Sequence, residues 1–116
     1  ADVFCFPAIN EGMGTPLLES LAMAVPVVAT ASEPSFQEWI NHGKNGFLSP
    51  LIAEQWAGAV KAAVDIPDPA RRRFAEEIVD TISMDTIDRS YAALFEMLVA
   101  SKPGDTIDVQ QVLATK

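Results

Sequence analysis

The 116 residues predict an α/β fold, a partial doubly wound parallel sheet followed by C-terminal helices. Two observations carry that prediction. Short apolar runs alternate with helix-period segments from Val3 to about Ile66, and the connections between them are brief, an arrangement that suits parallel strands joined by helical crossovers. Beyond that stretch the spacing is helical, with no further strand.

The first strand is Val3 to Phe6, an apolar run closed by Pro7, the pattern of a strand buried on both faces. Cys5 inside it is expected to act as a small buried hydrophobe. The loop Ala8 to Gly14 carries Gly12 and Gly14. Thr15 then offers a hydroxyl cap and Pro16 a fixed φ at the first helical position, so a helix is expected over 15–24 with Leu17, Leu18 and Leu21 inward. Pro26 admits a second strand, Val27 to Ala29. Ser35 and Glu38 fit a capping box at the head of a short helix, and the Asn45-Gly46 pair marks a turn before the third strand, Phe47-Leu48. Residues 51–66 place Trp56, Ala59, Val60, Ala63 and Val64 on one helical face. Asp68-Pro69 starts the next helix with a cap, and Ser83 the last, whose Ile87, Tyr91, Leu94, Phe95 and Leu98 are expected inward. The organisation is one partial domain over 1–102 and a tail over 103–116 with no decisive periodicity.

Composition narrows the function. A net charge of -8, with 49% apolar and 21% charged residues, describes an ordinary folded chain whose surface repels nucleic acid and anionic lipid. Arg71, Arg72 and Arg73 lie near Glu76 and Glu77 and read as a solvated, salt-bridged face. A single cysteine allows no disulfide within these residues. The longest apolar stretch, Leu21 to Ala29, falls well short of the roughly 20 residues a membrane span needs. No secretory signal is visible at Ala1, so the expectation is a cytoplasmic protein.

The informative segment is Asn10-Glu11-Gly12-Met13-Gly14-Thr15-Pro16-Leu17-Leu18-Glu19. It runs from the carboxyl end of a strand into a helix N-terminus, where open α/β sheets place their ligands. Glycines let a ligand approach the backbone, and unsatisfied N–H groups with the positive end of the helix dipole favour an anion, most naturally a phosphate. Glu19, one turn inside the helix, is placed for a neutral polyol beside it, since carboxylates accept hydrogen bonds from vicinal hydroxyls. His42 reads as a solvated turn residue, because no second His or Cys stands at metal-ligand spacing.

Glu11 and Glu19 are separated by seven residues, and the run Glu11 to Ala29 closely resembles the E-x7-E signature of group 1 (family 4-like) retaining GT-B glycosyltransferases. The turn His42 to Leu48 resembles that family's D-G-x-N-G-x-L segment, and Ser83 to Leu98 its closing helix. The resemblance covers roughly residues 1–99. It implies the C-terminal half of a Rossmann-like donor-binding domain, and an enzyme that moves a sugar from a nucleoside-diphosphate sugar to an unidentified acceptor with retention. It further implies that Glu11 contacts the donor sugar as the catalytic-site residue, that Gly12, Met13, Gly14 and Thr15 meet the diphosphate, and that Glu19 binds the ribose. No metal and no cofactor is expected, because protein donors stabilise the leaving diphosphate.

Two departures stand out. Where the family commonly has a glycine pair after the second strand, this sequence has Ser32-Glu33-Pro34-Ser35, which changes the loop there. The family's upstream strands and diphosphate-neutralising basic residues are not among these residues, so the segment alone is expected to be inactive. The rival reading is a truncated, non-catalytic interaction or assembly module; a third is a phosphate-binding domain of other chemistry, such as a sugar-nucleotide epimerase. The first strand, as the fourth of a 3-2-1-4-5-6 order, would present an open edge, so a homodimer through Val3 to Phe6 is expected. Contact with a membrane surface is expected only through segments outside these residues.

Overall fold

A computed structural model describes residues 1–113, which divide into two compact units, one over Ala1–Val79 and one beginning at Asp80. The first contains β1 (Phe4–Phe6), α1 (Thr15–Ala22), β2 (Val27–Thr30), α2 (Pro34–Trp39), β3 (Gly46–Ser49), α3 (Ala53–Val64) and most of α4 (Asp68–Ile82). All three strands are parallel, in the order β1-β2-β3, with Phe4 opposite Val27 and Val27 opposite Gly46. This is the partial Rossmann-like sheet that the alternation of runs predicts.

β2 is the centre of the core because both its faces are covered: Val27, Val28 and Ala29 are wholly buried. Val28 meets Ala63 and Ile66, with Val3, Phe47, Trp56 and Val60 packed around them. Alternation turns its neighbours to the other face, where Leu17, Leu18 and Leu21 of α1 and Phe36 of α2 are buried. The ring of Phe6 lies 5.1 Å from that of Phe36. Gly46 fixes the closeness of β2 and β3, since a Cβ there would stand 2.3 Å from the Val27 carbonyl oxygen.

Cys5 is exposed rather than buried. It shares a face with Val3 by strand alternation, but β1 is the sheet edge, and α3 packs over β2 and β3 without covering it. Val64 is also exposed, at 53%, because the buried face of α3 is set by Ala63 and the half-buried Trp56, Ala59 and Val60.

Three helix starts differ from expectation. Gly14, not Thr15, is the N-cap of α1, and no side chain caps it. The N-cap of α2 is Glu33, with Pro34 as the first helical residue, so Ser35 lies inside the helix and the Ser35–Glu38 capping box does not form. Asp68 belongs to α4 itself and pairs with Arg71 at 3.1 Å and Arg72 at 2.6 Å. The hydrogen bond from Arg72, and the charges of Arg72 and Arg71, hold its carboxyl below the ordinary value of 3.8 against a smaller desolvation effect. Arg73 reaches Glu77 at 3.9 Å, so the basic cluster is a paired surface face, with Asp68 rather than Glu76 as its main partner.

The second unit holds α5 (Met84–Ala100) and α6 (Val109–Leu113). Ser83 caps α5, its hydroxyl oxygen accepting from the Thr86 N–H. The expected inward stripe is not buried: Tyr91 is 57% and Phe95 60% exposed. α6 packs on α5, but its five residues span roughly 8 Å against some 25 Å for α5. α6 also lies within the predicted tail, whose last three residues fall outside the described ones. Among the described residues no helix is long and apolar enough to cross a membrane.

Candidate functional site

β1 ends at Phe6 and its loop crosses the carboxyl edge of the sheet before entering α1 at Thr15. Within that loop Asn10 and Gly14 take left-handed backbone conformations, with φ of 59° and 77°. Glycine at position 14 answers two demands together. The left-handed conformation strains any residue with a Cβ, and a Cβ would stand 3.0 Å from Cε1 of the buried Phe36 ring and 3.6 Å from Phe6. Gly12, by contrast, faces open space, with nothing within 4 Å of where its Cβ would be.

The start of α1 is therefore open. Its first backbone bonds run from the Leu17 and Leu18 N–H groups to the Gly14 carbonyl. No side chain caps the end, and Met13, Thr15 and Pro16 are exposed. Such an end leaves backbone donors and the positive end of the dipole available to an anion. Glu11 is half-buried in the loop, whereas Glu19 is exposed on α1, away from the buried Leu17, Leu18 and Leu21. One turn separates Glu19 from Thr15, so the two share a side of the helix. Every residue expected at the site from the sequence thus lies on one strand-loop-helix unit at the carboxyl edge.

Other contacts hold that unit, and the sequence did not point to them. The Glu33 carboxylate reaches across from the head of α2 and accepts from the Asn10 N–H at 2.9 Å through Oε2. The Ser35 hydroxyl lies 3.4 Å from the Glu11 carbonyl oxygen and 3.4 Å from Glu33 Oε1, and donates toward both. Both residues belong to the segment that departs from the glycine pair. An acidic residue three positions after the end of β2, at the same sheet edge as the loop, was the available signal.

The second motif, over 41–48, folds on local contacts. Asn45 is buried; its Oδ1 accepts from the Asn41 N–H at 2.7 Å and its Nδ2 donates to the Trp39 carbonyl at 3.1 Å. His42 is exposed, as expected, but structured: Nδ1 accepts from the Leu48 N–H at 3.0 Å, and its ring stands edge-on to Phe47 at 5.0 Å.

Fold and site together define a partial Rossmann-like α/β domain with an uncapped, glycine-lined helix start at the carboxyl edge of its sheet. The chain belongs to the glycosyl transferases of group 1, whose family model matches residues 1–79, the extent of the first unit. It is similar to the lipopolysaccharide core biosynthesis glycosyltransferase LpsE of Rhizobium meliloti (strain 1021), 33% identical over 103 residues that cover 88% of this chain and 30% of that protein. It is also similar to the O-antigen chain mannosyltransferase RfbU of Salmonella typhimurium (strain LT2), 31% identical over 67 residues, 58% of this chain and 18% of that protein. The chain thus spans less than a third of the length of these curated relatives. No solved structure matches it significantly.

Proposed function

We propose that this chain forms part of the donor site of a glycosyltransferase that moves a sugar from a nucleoside-diphosphate sugar to an acceptor with retention of anomeric configuration. The observation that carries this reading is the open start of α1: Gly14 left-handed, no side chain on the helix end, and a carboxylate on either side at Glu11 and Glu19. In this reading the diphosphate sits against the backbone of Gly12, Met13, Gly14 and Thr15. Glu19 accepts hydrogen bonds from the ribose hydroxyls and Glu11 from the donor sugar. As the glycosidic bond to the diphosphate breaks, negative charge grows on the leaving oxygen, where fixed amide dipoles stabilise it without reorganising. Two site glutamates in a chain of charge -8 cannot balance a diphosphate, so the rest of the polypeptide supplies the cations. Two relatives are named for lipopolysaccharide core and O-antigen chain, which supports a glycan of that kind as the acceptor class.

The test is a titration of the full-length protein with a panel of nucleoside diphosphates and their sugars, followed by turnover on the best donor. Glu11→Gln lowers turnover by at least tenfold, equivalent to about 1.4 kcal/mol, the scale of a lost charge-assisted hydrogen bond, while the melting temperature stays within about a degree. A variant that melts earlier in proportion to its lost activity would return Glu11 to a structural role.

A further inference from the structure

We infer that Glu33 is a positioning residue for Glu11, a clamp that holds the donor loop from the head of α2. The inference rests on the donor-site reading above, and it adds a residue that no motif in the loop contains.

The loop has a problem that its own sequence does not solve. Asn10, immediately before Glu11, is left-handed at φ 59°, and outside glycine that conformation is uphill, though less so for Asn than for most residues. A residue in such a conformation persists where its surroundings over-determine it. Here the surroundings are two side chains from α2, 23 and 24 residues away in sequence. Glu33 Oε2 takes the Asn10 N–H, and Ser35 lies against the carbonyl on the far side of Glu11 while also touching Glu33 Oε1. The backbone entering Glu11 and the backbone leaving it are thus tied to one carboxylate–hydroxyl pair. That pair is itself fixed by the helix beginning at Pro34 and by Phe36, wholly buried against Phe6 and Gly14.

The same geometry explains why α2 starts without a side-chain cap. Glu33 is its N-cap residue and extended at φ -89°, ψ 111°, so its carboxylate could have turned back onto the helix. It is turned to the loop instead. Removing the acceptor leaves the left-handed Asn10 turn without its long-range restraint, and Glu11 then samples orientations that do not meet the sugar. Displacements of this kind lower turnover more than they weaken binding, because the amides of α1 that meet the diphosphate are not moved.

The experiment uses the full-length protein with asparagine-selective 15N labelling, and measures amide exchange at Asn10 alongside kcat and KM for the donor. Glu33→Ala speeds Asn10 exchange and lowers kcat, each by about tenfold, the weight of one hydrogen bond to a charged group, with KM changed less than threefold. Glu33→Gln keeps an acceptor oxygen of the same reach and restores most of both. Ser35→Ala gives a smaller change in the same direction. Unchanged exchange at Asn10 in Glu33→Ala overturns the clamp, and so does a loss of kcat with exchange unchanged, which would place Glu33 on the substrate. Exchange needs no donor: were the wild-type protein to transfer no sugar, the donor reading would fall and Asn10 exchange would still decide the clamp.

Discussion

The loop over 8–14 and the turn over 41–46 each carry the chain from one element to the next, and each holds a left-handed residue. They are stabilised in opposite ways. In the turn that residue is a glycine, Gly43 at φ 83°, and the bonds are local: Gly43 N–H to the Gly46 carbonyl at 2.8 Å, and Asn45 to Asn41 and Trp39. The loop ends on a left-handed glycine too, Gly14, but it also holds the left-handed Asn10, and the bonds on Asn10 and Glu11 come from Glu33 and Ser35, far off in sequence. The turn is a structural joint that its own residues specify. The loop is a joint whose geometry the rest of the unit imposes, as expected where a ligand rather than packing sets the requirement.

Substitutions can break either side of this contrast. The largest effect is expected for Gly46→Ala, which sets a Cβ 2.3 Å from the Val27 carbonyl oxygen; backbone on both sides leaves little to yield. Overpacking of this kind costs about 3 kcal/mol or more, and denaturant unfolding should show that loss or no folded protein. Gly14→Ala meets a softer obstacle, the edge of the Phe36 ring at 3.0 Å, together with the left-handed backbone. About 1–2 kcal/mol of stability should go, and donor affinity should fall by more than stability does, since the helix start shifts. Ala24→Gly works in the reverse direction. Ala24 follows the C-cap of α1, Met23, at φ 59° without glycine's freedom, so the substitution should raise stability by about 1 kcal/mol, with donor binding unchanged.

The same contrast explains what was legible. Asn45-Gly46 announced its turn because both requirements, a buried amide and a close approach to Val27, fall on adjacent residues. The E-x7-E run was legible as a candidate site because its residues lie on one strand-loop-helix unit. Caps read less well. Thr15 is a good capping residue, but the Phe36 ring beside Gly14 decided where the backbone turns. Ser35 and Glu38 match a capping box, yet Pro34 starts the helix two residues earlier than that box requires and Ser35 faces the loop. Glu33 read as a departure from a glycine pair, because its partner lies across the sheet edge at Asn10. Periodicity found every apolar stripe without saying which would be covered: Ala63 is buried, while Cys5 at the sheet edge and Phe95 on α5 are exposed.

The central claim is that the start of α1, flanked by two glutamates, holds a nucleoside diphosphate, with Glu19 on the ribose. It is tested most directly by calorimetric titration of the full-length protein and its Glu19→Ala variant with a nucleoside diphosphate and, separately, with inorganic diphosphate. Glu19 is exposed on α1 and buries nothing, so folding should be unaffected. The nucleoside diphosphate should bind the variant more weakly by about 1–3 kcal/mol, and inorganic diphosphate, which has no ribose, should bind both proteins alike. Equal affinity of the two proteins for the nucleoside diphosphate, or an equal loss for both ligands, would contradict the account and leave Glu19 a helix-terminal charge.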